Sequence, residues 1–331
     1  MEVRKLQTTA GGTFVITIPK DWIERMKMRK GDHVSIELEE DEIIVSPTHS
    51  RMEVTPHSLQ IDQFREQKLL ELSITASYIL GHDITEVVAQ RKMLPEHKKW
   101  IKDIIEKLIG VEISEEFANQ MILQNLVDPA KFDLNKLLER FSATSTAILL
   151  DAVKALIEND KALAMDAYDR GVESTRVYRL MMRLAFQAAN DKKLRNQMNF
   201  PNVSSVMVQT MAIRELGRVA YYAMRIAQHV IEIGKSPEAS LAAAINEMAA
   251  AAAEMLDMTT RALMNKNVNL ASAITDKMGK VRKLHETTYL KLMKGMDEKN
   301  LLSISLITRD IRAIASYAMA IADEAVLSSF A

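Results

Sequence analysis

Residues 222–227 read YAMRIA, and the same segment returns almost unchanged as YAMAIA at residues 317–322. A second match lies upstream of each copy, where Ala155-Leu156 and Asp169 recur as Ala262-Leu263 and Asp276 at one common offset. The two offsets differ by 12 positions, which the polar stretch 190–201 can absorb. A chance match between alanine-rich helices is the alternative, but two segments in the same order favour an internal duplication.

The sequence around both copies is helical from about residue 134 to the end. Apolar residues follow the i, i+3, i+4, i+7 spacing of an amphipathic helix, as at Val177, Leu180, Met181 and Leu184. Polar breaks divide this region into six long helices, in two sets of three. The breaks lie near residues 159–160, 190–201, 236–237, 266–267 and 295–300. Ser236-Pro237-Glu238 predicts a helix start, with a capping serine and proline at the first helical position.

Composition restricts the classes of protein that the chain can belong to. A length of 331 residues predicts two or three domains. The net charge of −1 gives no global attraction to nucleic acid, so any basic surface must be local. The absence of cysteine excludes disulfide scaffolds, thiolate catalysis and cysteine zinc sites, and suits a reducing cytoplasm. The N-terminus lacks the apolar stretch of a signal peptide, and the most apolar segment, residues 241–256, is too interrupted for a membrane span.

Residues 1–48 follow a different pattern, with alternating apolar residues typical of strands. Strands are predicted over residues 14–18, 34–38 and 43–45, the last two as a hairpin. A short helix is expected over residues 21–28, and Gly31 suits the position after a helix where φ is positive. We read Gly11-Gly12 as a turn.

Residues 49–131 are predicted to form a connector and a small α+β linker domain. Within it we expect a helix over 61–80, a strand over 84–88, a helix over 95–108, and strands over 111–114 and 121–127. The remaining chain divides into a first three-helix repeat, residues 132–235, and a second, residues 236–331. The fold class is therefore multidomain: a β-rich module, an α+β linker and an all-α bundle.

Basic residues in the first 48 positions are separated from the acids, which concentrate at residues 37–42. A piece of this size cannot bury enough apolar surface alone, so it needs a partner, and symmetric dimerisation is the simplest source. A dimer would place two copies of Arg4, Lys5 and Lys20 on one face. Such a doubled basic face is suited to contacts with DNA phosphates.

The stretch RKLQTTAGGTFVITIPKDWIERMKMRKGDHVSIELEEDEIIVSP, residues 4–47, resembles the AbrB/SpoVT/MazE family of swapped-hairpin domains. The resemblance implies an interlocked homodimer that binds DNA through Arg4, Lys5 and Lys20. Some members place a basic pair where this chain has Ile23 and Glu24, and Arg25 is then the substitute. A dimerisation module with a merely solvated basic rim is the alternative.

The helical half resembles PhoU, a phosphate-uptake regulator of two three-helix repeats whose last helices carry metal-binding acids. Laid on this chain, those acidic positions hold Gly217 and Tyr221 in the first repeat, and Arg312 and Ser316 in the second. Because a hard cation needs several oxygen ligands, we expect no metal cluster and no other cofactor. Asp169 and Glu173 resemble a remnant acidic pair of the second helix. Their counterparts in repeat two are Asp276 and Lys280, which weakens even that remnant.

Three arginines, Arg214, Arg218 and Arg225, lie along one helix face. They could receive an anion or a partner's acids, although such a stripe is more often solvated or ion-paired. The seven histidines show no metal-ligand spacing. The sequence has no phosphate-binding glycine loop, nucleophile elbow or dinucleotide fingerprint, so we do not expect an enzyme.

The two resemblances together imply a cytoplasmic homodimer that binds DNA and regulates transcription in phosphate uptake or homeostasis. The head-and-tail arrangement is similar to that of archaeal proteins described as phosphate uptake regulators. A second hypothesis is a signalling adaptor whose bundle docks on a transporter ATPase or a kinase, with the N-terminal module serving only for dimerisation. A third is a chromatin-associated protein with little sequence preference.

Overall fold

The structure, a computed structural model, describes residues 3–39, 42–47, 56–233, 236–292 and 298–331. The chain divides into two compact units, Met1–Thr55 and Pro56–Ala331. The first unit holds small β-hairpins and one short helix, and the second holds a four-stranded sheet followed by long helices. The multidomain fold class expected from the sequence is therefore confirmed.

The described residues of the first unit form two antiparallel strand pairs. Strand β1 (Gln7–Thr8) pairs with β2 (Phe14–Val15), and the turn between them contains Gly12 at φ +79°, as expected for Gly11-Gly12. Strand β3 (Val34–Glu39) pairs with β4 (Glu42–Pro47), which confirms the predicted hairpin; its acidic turn at residues 40–41 lies outside the described residues.

Two expectations for the first unit need correction. The strand predicted over residues 14–18 keeps only its first two residues, because no described strand of the same chain pairs with residues 16–18. Helix α1 (Lys20–Arg25) is shorter than the predicted span 21–28, because Lys27 adopts a left-handed conformation at φ +52°. Gly31 has the predicted positive φ, at +99°.

The second unit opens with a mixed sheet in the order β5-β6-β8-β7, in which only β5 and β6 are parallel. Its elements are β5 (His57–Gln60), a 3-10 turn (Ile61–Gln63), α2 (Gln67–Ile79), β6 (Ile84–Val88), α3 (Pro95–Ile105), β7 (Val111–Glu116) and β8 (Gln120–Asn125). The predicted strand over 84–88 and the helix beginning at Pro95 are confirmed.

The linker prediction was wrong at its start. The expected helix over 61–80 begins only at Gln67, and β5 lies in a stretch assigned to the connector. Strand β5 has a weak sequence signal, because Leu59 is its single aliphatic residue. The strand at the sheet edge forms through backbone pairing with β6.

Six long helices and one short helix complete the described chain. They are α4 (Leu134–Glu158), α5 (Lys161–Asn190), α6 (Lys192–Gln197), α7 (Val203–Glu232), α8 (Ala239–Asn265), α9 (Val268–Leu292) and α10 (Glu298–Ser328). The six long helices were predicted, whereas α6 lies in the stretch read as a polar loop. Residues 295–297 of the predicted last break lie outside the described residues, and α10 already begins at Glu298.

Equivalent breaks in the two repeats have the same chemistry. Asn159 is left-handed at φ +54°, and the Asp160 carboxylate caps α5 by accepting from the backbone N–H of Leu163. Lys266 is left-handed at φ +51°, and the Asn267 side chain accepts from the N–H of Leu270 at 3.1 Å. A left-handed residue ends one helix, and a capping side chain begins the next.

The helix start predicted at Ser236-Pro237 was wrong. Helix α8 begins at Ala239, so the proline precedes the first helical position. Glu238 occupies the capping position and makes no side-chain cap hydrogen bond.

One apolar core runs through both helical repeats. Helix α7 packs against α4 and α5 of its own repeat and against α10 of the other. Buried alanines on α7 and α10, among them Ala223 and Ala318, allow these backbones to approach closely.

A buried arginine joins the sheet region to the bundle. Arg183 of α5 is fully buried and donates to the backbone carbonyls of Tyr78 at 2.7 Å and His82 at 3.0 Å. It also pairs with the carboxylate of Asp83 and lies over the Tyr78 ring, 5.1 Å from its centroid. Arg183 thereby binds carbonyl groups at the end of α2 and in the turn after it, and the Tyr78 carbonyl also accepts from the N–H of Gly81 at 3.1 Å.

Candidate functional site

The four basic residues expected to contact DNA are all exposed in the first unit. Arg4 and Lys5 precede β1, and Lys20 and Arg25 are the two end residues of α1. The helical pair has acidic partners on the same helix, which sequence reasoning did not anticipate. Lys20 Nζ lies 3.4 Å from Glu24, and Arg25 Nη2 lies 3.0 Å from Asp21. These exposed i, i+4 pairs are worth about 0.3–0.5 kcal/mol each, so a stronger anion can displace the acids.

Apolar side chains of the first unit remain uncovered within one chain. None of the side chains described between residues 3 and 47 is buried. Phe14 and Ile36 are each 64% exposed, and Leu38 is 78% exposed. These residues occupy the alternating strand positions that normally face a core, so the described side chains of the first unit form no core of their own.

A groove in the helical region lies at the positions expected to have lost their metal-binding acids. It has a volume of about 370 Å³ and is lined by Tyr178 of α5 and by Arg214, Gly217, Arg218 and Tyr221 of α7. The Tyr178 ring packs directly against α7 at Gly217, since a Cβ added there would meet its Cε2 at 2.6 Å. Burial raises the pKa of Tyr178, whereas the charges of Arg214 and Arg218 oppose that rise.

This donor set does not fit a metal cluster. In the first repeat the Tyr178 ring fills the space that a side chain at position 217 would occupy, and the other lining groups are two guanidiniums and a phenol. Both neutral phenols and cationic guanidiniums are poor ligands for a hard cation. Of the predicted remnant pair, Asp169 is exposed, and the Glu173 carboxylate accepts from Arg176 at 3.1 Å.

The equivalent surface of the second repeat carries an exposed arginine. Arg312 is exposed, and Ser316 one turn later donates to the Arg312 backbone carbonyl at 3.1 Å. Burial, reinforced by the charge of Arg312, lowers the pKa of His285 on α9. In the described segments no three His, Asp or Glu side chains are grouped to hold a metal ion.

The three arginines of the stripe predicted on α7 have different surroundings. Arg225 turns to the second repeat, where its Nε lies 3.3 Å from Oδ2 of the fully buried Asp310. Arg309 donates to the same carboxylate at 3.0 Å, and His229 Nε2 lies 4.0 Å from it. Burial raises the pKa of Asp310, although the hydrogen bond from Arg309 and the charge of Arg225 oppose it. Arg225 is therefore structural, whereas Arg214 and Arg218 line the groove.

A second buried carboxyl lacks such partners. Glu324 of α10 is only 7% exposed, and its Oε2 has no hydrogen-bond partner among the described atoms. Burial raises the pKa of Glu324, and the negative charges of Glu215 and Asp323 raise it further.

Sequence reasoning missed Tyr178, Asp310, Glu324 and Arg183. The last three interrupt apolar helical runs, as Arg183 does between Met182 and Leu184, so a charge on a core-facing position was the available signal. Tyr178 had no such signal, because its role depends on a contact between two helices.

Comparisons with known proteins agree with both halves of this description. Residues 7–52 match the family model described as antidote-toxin recognition MazE, bacterial antitoxin, and residues 245–325 match that of the PhoU domain. The chain therefore joins a MazE/AbrB-type domain to a PhoU-type helical region, as the sequence predicted. A search of the curated proteins finds no match to this chain.

Two solved structures align with this chain, and the first of them is similar in fold. The crystal structure of PhoU from Pseudomonas aeruginosa has a TM-score of 0.53 and 18% identity, covering 59% of this chain and 95% of that one. The phosphate transport system regulatory protein PhoU from Streptococcus pneumoniae has a TM-score of 0.49 and 16% identity, covering 60% and 96%. Across the described part of the chain, no helix combines the length and apolarity needed to cross a bilayer.

Proposed function

We propose that the chain is a non-catalytic, cytoplasmic transcriptional regulator that binds DNA as a homodimer and acts in phosphate uptake or homeostasis. The observation that carries the proposal is the exposure of both apolar and basic side chains in the first unit. A second copy of that unit would cover Phe14, Ile36 and Leu38 and would also double the number of basic residues on one surface.

In this proposal the four parts of the chain have separate roles. Residues 1–48 dimerise and bind DNA, and residues 49–131 connect them to the bundle. Residues 132–235 and 236–331 form the two repeats, which receive the signal or a partner. The link to phosphate is supported by the PhoU-domain match over residues 245–325.

DNA would be held mainly by contacts between cationic side chains and backbone phosphates. We assign these contacts to Arg4, Lys5, Lys20 and Arg25. The phosphates would replace Glu24 and Asp21 as partners of Lys20 and Arg25, at the small cost of two exposed ion pairs. Arg25 belongs to this set as the substitute for the basic pair that some related domains carry after the proline.

Fluorescence anisotropy with labelled duplex DNA tests the proposal directly. The full chain should bind at low salt, and the dissociation constant should rise steeply as salt increases, because phosphate contacts release counterions. No binding to any duplex even at low salt would overturn the DNA-binding assignment. Comparison of operator with random DNA separates a specific regulator from a protein with little sequence preference.

A signalling adaptor is the second candidate function, and the two ion pairs within α1 favour it. If Lys20 and Arg25 stay paired with their acids, the first unit acts only as a dimer clamp, and the bundle docks on a transporter ATPase or a kinase. Chromatin immunoprecipitation with sequencing, in phosphate-replete and phosphate-starved cells, discriminates the two. Replacing Arg4, Lys5 and Lys20 with Ala should abolish occupancy of target genes in a DNA-binding regulator and change nothing in an adaptor.

A further inference from the structure

The groove between α5 and α7 carries two cations that have no ion pair with any described acid. Arg214 and Arg218 lie one turn apart on α7, and no acid in the described part of the chain forms an ion pair with either. Glu215 is the nearest acid in the sequence, and its charge also reaches Tyr178. The surface of the groove is nevertheless dominated by the two guanidiniums that line it.

The second repeat shows the same helix positions with the arginine paired to the acid that follows it. Arg309 and Asp310 stand where the first repeat has Arg214 and Glu215, given the match of YAMRIA with YAMAIA. There Arg309 donates to the Asp310 carboxylate at 3.0 Å. Arg214 has no such bond to a described acid, so the first repeat keeps an open cationic site.

Two phenol rings stand beside the guanidiniums. The Tyr178 ring is seated on Gly217, where any side chain would collide with it. Tyr221 is 51% exposed; its ring makes an edge contact with Tyr222, with centroids 5.4 Å apart, and the Arg225 guanidinium lies 5.7 Å from its centroid. The arrangement places flat apolar surfaces within one groove together with two forked donors suited to phosphate oxygens.

The size of the groove adds a constraint on its ligand. Its volume of about 370 Å³ far exceeds a single phosphate ion and falls in the range of about 300–1,000 Å³ found for small-molecule pockets. A ligand that uses the whole groove therefore needs an apolar planar part as well as an anionic part. Stacking on tyrosine suits a nucleobase, since every base has a π face.

We infer that this groove binds a nucleoside phosphate, with the phosphate groups on Arg214 and Arg218 and the base against Tyr178 and Tyr221. The site lies in the helical region and makes no use of the first unit, so it stands or falls independently of DNA binding.

Isothermal titration calorimetry on the full chain, in EDTA to exclude metal-bridged binding, tests this inference with four probes. ATP and AMP should bind, and both adenosine and inorganic phosphate should bind at least tenfold more weakly, because each lacks one half of the recognised group. Binding of phosphate as tightly as AMP would overturn the base contact. No heat with any probe at millimolar concentration would overturn the site.

Matched variants test whether AMP binds in the groove. Arg214→Ala and Arg218→Ala should each weaken AMP binding at least tenfold, and Tyr221→Leu should weaken AMP more than phosphate. Arg140→Ala, an exposed arginine on α4, and the combined Lys5→Ala and Lys20→Ala change should leave AMP affinity unaltered. An unchanged melting temperature confirms that each variant folds. If the Lys5 and Lys20 variant loses AMP binding while the groove variants retain it, the inference is wrong.

Discussion

Tyr222 of α7 and Tyr317 of α10 stack on each other, with ring centroids 5.6 Å apart and ring planes inclined by 25°. They are the first residues of the two YAMRIA-like segments, so equivalent positions of the two repeats meet face to face. The two repeats therefore contact each other at the same segments, YAMRIA and YAMAIA, that reveal the duplication.

The charges on either side of this tyrosine pair are unequal. On one side Asp310 of α10 faces Arg225 and His229 of α7. On the other side, Glu215 stands where Asp310 does, and Glu324 stands where His229 does. Glu324 therefore experiences the negative charge of a carboxylate instead of a cation. One half of the junction is electrostatically attractive and the other repulsive.

Replacing Glu324 with Gln should therefore stabilise the protein at neutral pH. The folded-state pKa of Glu324 is raised, so the folded state holds this proton more tightly than the unfolded state. Stability from this group is present at low pH and falls as pH rises from the ordinary glutamate range through the raised pKa. Thermal unfolding between pH 4 and pH 8 measures the effect.

Glu324→Gln should raise the melting temperature at pH 8 and flatten its decline with pH. Glu139→Gln, at an exposed glutamate of α4, serves as the control and should leave the pH profile unchanged. A lower melting temperature for Glu324→Gln at pH 8 would show that the charged carboxylate has a stabilising partner.

Gly217→Ala should destabilise the helical region, although alanine normally improves a helix. The propensity gain of up to about 1 kcal/mol is opposed by the added methyl group, 2.6 Å from the Tyr178 ring. Overpacking of this kind costs about 1–3 kcal/mol, so we expect a net loss of about 1 kcal/mol in urea unfolding.

Gly279 offers a matched control, because it lies inside helix α9 with nothing within 4 Å of its added Cβ. Gly279→Ala should stabilise by about 0.5–1 kcal/mol. If Gly217→Ala stabilises as much as Gly279→Ala does, the Tyr178 ring is not seated as described.

Arg183→Ala should weaken the attachment of the sheet region to the bundle. The change removes a buried guanidinium that bonds three backbone carbonyls and the Asp83 carboxylate. Loss of one partner of a buried pair costs about 3–5 kcal/mol, and the half-exposed Asp83 places the expected cost near the lower value.

Urea unfolding measures this loss, and hydrogen exchange should show faster exchange near the end of α2. Arg176→Ala is the control on the same helix, since its exposed ion pair with Glu173 is worth no more than about 1 kcal/mol. If the two substitutions lower the free energy of unfolding equally, Arg183 does not have the structural role described.

Local signals in the sequence were sufficient for most of the architecture. The strand over 84–88, the start of α3 at Pro95 and the six long helices follow from apolar periodicity, from Pro95 itself and from polar breaks such as residues 159–160. These features depend on neighbours within a few residues, which a sequence displays directly.

The failures have a different physical origin. Strand β5 depends on pairing with β6 and not on its own composition. The role of Gly217 depends on Tyr178, and the burial of Asp310 depends on Arg225, each on a different helix. Such relationships are set by tertiary packing, so a single sequence indicates the residue and not its partner.

The salt dependence of DNA binding tests the proposed function most directly. Each phosphate contact contributes about −0.9 to the slope of log K against log salt concentration, and a dimer carries two copies of every contact. Replacing Arg4, Lys5 and Lys20 with Ala should therefore make the slope of the full-length dimer shallower by about 5. A variant that binds DNA with the slope and affinity of the unaltered chain would contradict the account.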